Sequence, residues 1–337
     1  MIPTSGSIRK IWLTVFILGG IAFIRPDLGA LAQENQQYTV EEYEAYQAIA
    51  KEADPAKKME LISAFWKSWP KSTLAQHITA DFQEALKKLQ EAGRWAQVIT
   101  IGRQFLALSP DDAYTTALVA EGYVQTKNNR QLVAFGEEAY KKNPTGNLAY
   151  AMAKAYKDLG NTVKFWEWGE KTVAAFPDNY EIMLEMAILY SDSKRNAEAD
   201  KYAKRTLKTI QAAKKPEQMS DKDWAAYTNR AYLACNLVIG NAAYERQDYT
   251  NAIPAFESAL KYNSRNDTAY YFLGQAYWQQ RKIDLAMKNF AKASLLNGTA
   301  SGSARQQLEN LYKQTHKQST VGLDKVIAVA KAELGIK

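Results

Sequence analysis

Two histidines and one cysteine are the residues of this 337-residue chain best suited to nucleophilic or metal chemistry. His77 and His316 are far apart in the sequence, and neither has a serine or cysteine nucleophile motif beside it. Cys235 falls inside an apolar helical run, where a buried and inert thiol is expected. Zinc, haem and iron–sulfur sites usually draw several ligands from these residue types, so we predict no metal and no cofactor. A single cysteine forms no internal disulfide, so stability must come from packing.

Patterns for other chemistry are weak. No convincing strand is found, so no glycine-rich phosphate loop follows one. Acidic residues are plentiful, yet none can be assigned to a catalytic carboxylate pair. Lysines form scattered doublets such as Lys57-Lys58 and Lys214-Lys215 instead of one basic stripe interleaved with aromatic residues. We therefore predict neither an enzyme nor a nucleic-acid-binding protein, with a hidden hydrolase as the less favoured alternative.

The composition is that of a folded chain with a modest positive charge. Hydrophobic residues make up 47% of the sequence, and 43 basic against 36 acidic residues give a formal charge of +7. With 17 glycines and 9 prolines, collagen-like and Pro/Gly-rich disordered classes are excluded.

The N-terminal segment at 1–32 reads as an export signal. Arg9 and Lys10 precede an apolar stretch at 11–24, which is short for a membrane span of about 20 residues. Small residues end this region, and cleavage after Ala32 would leave Gln33 as the first residue. We predict a cleaved signal peptide and a periplasmic or secreted protein. An uncleaved N-terminal membrane anchor is the alternative.

The remainder of the chain repeats itself. Pro110, Pro144 and Pro177 recur at nearly equal spacing, and each closes an apolar periodic stretch. Their spacing is that of a helical solenoid, in which one common repeat period is about 34 residues. The strongest unit carries an aromatic-x2-Leu-Gly-x2-Tyr pattern followed by Ala-x3-Phe, formed by Tyr270, Leu273, Gly274, Tyr277, Ala286 and Phe290. The unit before it places Gly240, Ala252 and Phe256 in matching positions.

These residues resemble the tetratricopeptide repeat, a helix–turn–helix unit, and the sequence has the character of an exported bacterial-type member. The resemblance covers every marker of the strongest unit except the terminal proline, which Gly298 replaces. It implies an all-α, right-handed solenoid of about seven units. Small residues such as Gly240 and Gly274 are expected where the two helices of a unit approach closely.

The predicted solenoid occupies 33–300. Its units lie near 39–72, 79–112, 113–145, 146–179, 180–213, 233–266 and 267–300, after the signal peptide at 1–32. An insertion at 214–232 breaks the period, and we expect it to lengthen the following helix to about 26 residues, or roughly 39 Å. The insertion either supplies a functional edge or adjusts the superhelical pitch.

Two further helices are expected at 301–337. An open solenoid end exposes an apolar face, so these helices are predicted to cap the array. A partner-docking helix is the alternative for the last of them. In the run 164–169, Trp166 and Trp168 are separated by a single residue, so one should pack inward while the other stays partly exposed.

Family members generally bind peptides in the concave groove lined by the first helices. Carrying the family's groove positions onto this chain gives Tyr150, Lys154, Lys157, Asn241, Tyr244, Tyr271, Gln275 and Trp278. The alternative for each is an ordinary exposed residue or one packed against the neighbouring repeat. The carboxylate clamp of one subfamily is not reproduced, because the comparable places hold Gln83, Lys87, Ala117, Glu121, Tyr150 and Lys154.

The resemblance therefore implies a non-catalytic scaffold that binds another protein or peptide. A structural subunit of an envelope assembly, or a self-associating array, is the alternative. Association at the periphery of a membrane complex is left open, and no nucleic acid or metal is expected as a partner.

Overall fold

The computed structural model describes residues 38–336, which form sixteen α-helices and no strand. The chain divides into two compact units, Met1–Phe176 and Pro177–Lys337. The predicted all-α class is confirmed for the described residues. The predicted signal peptide at 1–32, with its cleavage site between Ala32 and Gln33, lies outside them. Among residues 38–336, no helix has both the length and the apolar character that a bilayer crossing requires.

From residue 38 onward, the N-terminal unit contains four helix–turn–helix pairs. Their helices are α1 (Val40–Lys51), α2 (Pro55–Ser68), α3 (Ala75–Glu91), α4 (Trp95–Leu108), α5 (Ala113–Gln125), α6 (Asn129–Lys142), α7 (Gly146–Asp158) and α8 (Thr162–Ala175).

The C-terminal unit contains three more pairs and two terminal helices. Their helices are α9 (Tyr180–Asp192), α10 (Asn196–Ala212), α11 (Asp221–Glu245), α12 (Tyr249–Tyr262), α13 (Asp267–Gln279), α14 (Ile283–Ser294), α15 (Ser301–Thr315) and α16 (Leu323–Leu334). Residues 38–336 therefore contain seven pairs, in agreement with the number of units predicted from the sequence.

Helix starts follow the capping residues in the sequence. Thr39 and Glu42 form a capping box at α1, in which each side chain accepts a hydrogen bond from the other residue's backbone N–H. Asp54 caps α2 just before Pro55. The Ser220 hydroxyl accepts from the backbone N–H of Asp223 at the start of α11. These contacts satisfy N–H groups that have no partner inside the helix.

A left-handed residue joins the two helices within six of the seven pairs. These residues have φ between 56° and 72° and are Gly93, Lys127, Gly160, Lys194, Gln247 and Arg281. Successive members recur with the period of the sequence repeat, apart from one longer step between Lys194 and Gln247 that contains the insertion. Four of the six are not glycine and adopt a conformation that costs free energy for an ordinary side chain.

The two helices of a pair approach closely where the sequence places glycine. A Cβ atom added to Gly274 would lie 2.6 Å from Cδ1 of Phe290, and one added to Gly240 would lie 2.5 Å from Cε1 of Phe256. Both phenylalanines are fully buried. The glycine and phenylalanine positions of the repeat pattern therefore correspond to a phenylalanine ring on the second helix that packs directly over the backbone of the first helix.

Helix bounds differ from the predicted repeat bounds in the second pair. The second pair begins at Ala75, whereas the repeat period predicts a boundary at 79. The difference arises because α3 has 17 residues, compared with 13 in α5 and in α7. Leu74 and Ile78 are buried at its start and extend the apolar stripe by one turn. The insertion at 214–232 forms a short connection and the first half of α11, which has 25 residues.

The terminal helices cover the last pair. Both α15 and α16 pack on α14. Leu323 and Ala330 of α16 are buried in a cluster with Leu308 and Leu311 of α15. Glu333 of α16 also forms ion pairs with two lysines of α14, at 2.6 Å for Lys292 Nζ and at short range for Lys288 Nζ.

Candidate functional site

The first helices of successive pairs lie side by side within each unit. In the N-terminal unit α3 contacts α5 and α5 contacts α7, and in the C-terminal unit α11 contacts α13 and α13 contacts α15. Residues at matching positions of neighbouring first helices therefore line one face. The predicted groove residues lie on α7 in the N-terminal unit and on α11 and α13 in the C-terminal unit.

The C-terminal unit brings five predicted residues onto its two adjoining first helices. We call this set the aromatic face, and its members are Asn241, Tyr244, Tyr271, Gln275 and Trp278. All five side chains are partly buried. The rings of Tyr244 and Tyr271 are linked by Phe272, whose ring centroid lies 5.8 Å from that of Tyr244 and 5.3 Å from that of Tyr271. Edge-to-face contacts at these distances hold aromatic rings in fixed orientations.

Glutamine side chains position the two tyrosine hydroxyls of the aromatic face. Gln275 Nε2 donates a hydrogen bond to Tyr271 Oη at 2.9 Å. A side-chain hydrogen bond joins Gln279 to Tyr244. Burial raises the pKa of Tyr244 above its usual value, so its phenol stays protonated at neutral pH. Because Tyr271 Oη accepts from the Gln275 amide, its own proton is available for donation to another group.

Asn241 and Trp278 occupy more enclosed positions. Asn241 Oδ1 is buried and has no hydrogen-bond partner. A buried polar atom without a hydrogen-bond partner costs free energy. Such atoms are found at some functional positions. Trp278 lies one helical turn beyond Gln275 and packs against the apolar cluster around Phe290 and Met287. Much of the Trp278 ring therefore supports the fold.

The N-terminal unit presents a different, charged first-helix face. Tyr150, Lys154 and Lys157 lie on α7 and are partly buried. On the neighbouring first helices the comparable positions hold Lys87 of α3 and Glu121 of α5. The predicted groove residues of this unit thus belong to a surface that carries both signs of charge.

Glu121 has the most unusual titration behaviour on the charged face. Burial raises the pKa of its carboxyl group to about 7, although hydrogen bonds from Gln90 and Gln125 act in the opposite direction. Gln90 Nε2 lies 3.1 Å from Glu121 Oε2. Removal of a carboxylate from water disfavours its charged form, which accounts for the direction of the shift.

The positions compared with the carboxylate clamp are engaged within the fold. Gln83 Nε2 donates to Asp112 Oδ2 at 2.7 Å, where Asp112 also caps α5. Glu121 places an acceptor where a clamp would need a donor for a terminal carboxylate. This arrangement agrees with the sequence analysis, in which these positions do not carry the residues of the carboxylate clamp.

Of the three residues that the sequence suggests for chemistry, Cys235 is buried, His77 is partly buried and His316 is exposed. Burial raises the pKa of the Cys235 thiol to about 12, so it is protonated and unreactive at neutral pH, as the sequence suggests. His77 lies in the N-terminal unit against Tyr46, with ring centroids 6.2 Å apart. His316 stacks on Tyr312 in the C-terminal unit, with centroids 3.8 Å apart. Residues 38–336 contain no group of three metal-ligating side chains.

As predicted, one tryptophan of α8 is buried and the other is partly exposed. Trp168 is buried and packs edge-on against Tyr140, with centroids 4.9 Å apart. Lys171 Nζ lies 3.9 Å from the centroid of the Trp168 ring. Trp166 is partly exposed. Trp168 is therefore a core residue of the N-terminal unit.

Three features of the first-helix faces were not identified from the sequence: the bridging ring of Phe272, the amide of Gln279 and the perturbed carboxyl of Glu121. Phe272 stands in the aromatic run at 270–272, and this run could have indicated it. Glu121 and Gln279 have no sequence signal of their own, because their roles depend on burial and on side-chain geometry.

Comparison with known proteins agrees with the helix–turn–helix architecture. Residues 237–304 match the family model described as tetratricopeptide repeat. No curated protein matches the chain. The matched residues include α12, α13 and α14.

Several solved structures are similar at low identity. MamA from Desulfovibrio magneticus RS-1 is 14% identical, with 56% of this chain and 95% of that chain covered and a TM-score of 0.43. YrrB, described as a TPR protein with an unusual peptide-binding site, is 11% identical, with 59% and 96% covered and a TM-score of 0.43. A tetratricopeptide repeat protein from Parabacteroides merdae ATCC 43184 is 12% identical, with 80% and 99% covered and a TM-score of 0.34.

The segment that matches the family model lies within the seven helix–turn–helix pairs of residues 38–336. The period, the left-handed turns and the packing of phenylalanine over glycine all recur at the positions where the repeat pattern places them. Residues 237–304 of this chain are therefore similar to the tetratricopeptide repeat family.

Proposed function

We propose that this protein is a non-catalytic scaffold that binds a peptide or protein segment on the aromatic face of its C-terminal unit. The observation that carries the proposal is that the rings of Tyr244 and Tyr271 both contact the ring of Phe272, while their hydroxyls are hydrogen-bonded to glutamine side chains. Tyrosine and tryptophan are favoured anchors in binding sites because they offer large contact areas and few rotatable bonds.

The charged face of the N-terminal unit is proposed as a second contact surface. Tyr150, Lys154 and Lys157 would meet polar groups of the same or another partner. The mixture of charges suits selection among partners more than tight binding, because charged groups at an interface mainly determine specificity and association rate.

We also propose that the protein acts outside the cytoplasm, in a bacterial-type envelope or as a secreted protein. The support is the basic start, the apolar stretch at 11–24 and the small residues before Gln33. N-terminal sequencing of protein recovered from an exporting bacterial host tests this proposal. A mature chain that begins at Gln33 supports it, whereas an intact N-terminus in the membrane fraction favours the anchored alternative.

The binding proposal is tested by selection from a displayed library of random peptides. The selected peptides are measured against the unaltered protein and against a variant with Tyr271→Ala and Trp278→Ala. We expect the variant to lose at least about tenfold in affinity, since each anchor contributes on the order of 1 to 2 kcal/mol.

Tyr262→Ala is the matched control, because Tyr262 is an exposed tyrosine on α12, a second helix. Circular dichroism establishes that each variant keeps its helical content. Equal affinities for the double variant and the unaltered protein would remove the aromatic face from the binding site. A library that yields no binder would reject the proposed function.

A further inference from the structure

We infer that the C-terminal unit holds a second binding site, a cavity among α12, α13 and α14 that takes a small organic carboxylate with an apolar chain. None of the five members of the aromatic face lines this cavity. The carboxylate of Glu333, which α16 supplies, contacts the charged side of the cavity and would compete with such a ligand. The inference goes beyond the proposed function and does not depend on it.

The cavity has the size and lining of a small-molecule site. Its volume is about 300 Å³. Three leucines and two tyrosines form its apolar lining, namely Leu260, Leu273, Leu285, Tyr270 and Tyr277. Small-molecule sites in proteins have volumes from about 300 Å³ upward and combine a mostly apolar lining with a few polar groups. The apolar part of this cavity therefore suits a short alkyl chain.

Two lysines of α14 supply the positive charge of the cavity. Lys288 and Lys292 lie one helical turn apart, and both line it. Their amines converge on a single carboxylate, because Lys292 Nζ lies 2.6 Å from Glu333 Oε2 and Lys288 Nζ contacts Glu333 Oε1. Each amine meets a different oxygen of the same group. The two lysines are thus arranged to hold a carboxylate through charge-assisted hydrogen bonds.

Lys292 is partly withdrawn from water. Its side chain is only 15% exposed, and its Nζ lies 5.2 Å from the centroid of the Tyr270 ring. Removal of an ammonium group from water costs free energy unless the charge is paired. A ligand carboxylate that replaces Glu333 therefore restores the pairing that Lys292 would otherwise lose.

An acidic residue of the lining belongs to a different helix. Glu257 lies on α12, whereas both lysines lie on α14. Tyr277 Oη donates a hydrogen bond to Glu257 Oε1 at 2.9 Å, so this carboxylate already has a donor within the chain. The charges of the lining therefore favour a ligand whose carboxylate contacts α14 and whose chain lies along the leucines.

Isothermal titration calorimetry of the purified protein with octanoate tests the inference. 1-Octanol keeps the alkyl chain without the charge, and acetate keeps the carboxylate without the long chain. We expect octanoate to bind at least about tenfold more tightly than either compound, because only octanoate uses both the lysines and the apolar lining. The variant with Lys288→Met and Lys292→Met removes both charges and should bind octanoate about tenfold or more weakly.

Glu333→Gln should change the affinity in the opposite direction, because it removes the competing carboxylate. We expect this variant to bind octanoate about two- to fivefold more tightly than the unaltered protein. Lys325→Gln, which changes an exposed residue of α16, is the control and should leave the affinity unchanged. Saturating octanoate should also speed the hydrogen exchange of α16 amides in the unaltered protein, since Glu333 is displaced.

The inference is overturned if octanoate binds no better than 1-octanol or acetate, or if Glu333→Gln does not bind it more tightly. Equal binding by the double methionine variant, with its helical content intact, would also overturn it. Loss of octanoate binding in the variant with Tyr271→Ala and Trp278→Ala would place the ligand on the aromatic face and would count against the cavity. A protein that binds peptides on the aromatic face but does not bind octanoate would overturn this inference and leave the proposed function in place.

Discussion

At the scale of single residues, two glycines set the distance between paired helices. We expect Gly274→Ala to destabilise the protein by about 1 to 3 kcal/mol, because the new Cβ meets the buried ring of Phe290. Gly302→Ala in α15 is the matched control, since a Cβ atom there meets nothing within 4 Å. The control should be neutral or stabilising by up to about 1 kcal/mol. Chemical denaturation measures both, and similar values for the two variants would contradict the packing described for the repeat.

The raised pKa of Glu121 predicts that the stability of the protein depends on pH. Its folded pKa of about 7 lies above the ordinary value of 4.5, so the folded state binds a proton more tightly than the unfolded state. The free energy of unfolding should therefore fall as the pH rises from about 4.5 to 7. Glu121→Gln should be about 1 to 3 kcal/mol more stable than the unaltered protein at pH 8, with little difference at pH 4. Denaturation at both pH values checks this, and an equal difference at the two would count against the assignment.

Some properties of the candidate site could be predicted from the sequence, and others could not. The repeat register brought Tyr244, Tyr271 and Gln275 to one face, because matching positions of successive first helices adjoin. It gave no information on which rings touch, on the burial of Asn241 Oδ1 or on the desolvation of Glu121. Those properties depend on side-chain rotamers and on neighbours distant in the sequence.

At the scale of helices, α16 is fastened to α14 partly by charge. Lys288 and Lys292 lower the pKa of Glu333 below its ordinary value. The stabilisation is therefore present above about pH 4.5 and is lost as the pH falls through the lower folded pKa. Because Glu333 is partly exposed, its contribution is modest.

Hydrogen exchange of the backbone amides of α16 measures how much the ion pairs stabilise its packing on α14. At pH 7 we expect Glu333→Gln to speed the exchange of α16 amides by a few-fold, and by pH 3 the two proteins should exchange alike. Lys325→Gln, which changes an exposed residue of the same helix, is the control. Unchanged exchange in Glu333→Gln at pH 7 would show that the apolar stripe alone holds α16.

Most helices were predictable from the sequence because period, caps and turns agree. The capping box at Thr39, the cap at Ser220 and the insertion before Gly240 all gave correct element positions. The early start of α3 was missed, since one added turn leaves the repeat period intact. The packing of α16 on α14 was also beyond the sequence, because an apolar stripe does not name the helix it will cover.

At the scale of the whole molecule, the two proposed contact surfaces differ in their chemistry. The N-terminal unit presents lysines and a carboxyl group on its first helices, whereas the C-terminal unit presents phenols and amides. We expect added salt to weaken a partner bound to the N-terminal unit and to have little effect on one bound to the aromatic face. Titration of each complex between 50 and 500 mM salt checks this, with about a threefold change or more expected only for the charged surface. The reverse pattern would show that the two surfaces have been assigned the wrong partners.

The most direct test of the central claim is a photo-crosslinking map of a bound peptide. A peptide selected by display is given a photoreactive residue, crosslinked to the protein and located by mass spectrometry. Crosslinks on α11 and α13, at or beside Tyr244, Tyr271 and Gln275, are the predicted result. Crosslinks confined to the second helices α12 and α14 would contradict the account, because the peptide would then bind away from the aromatic face.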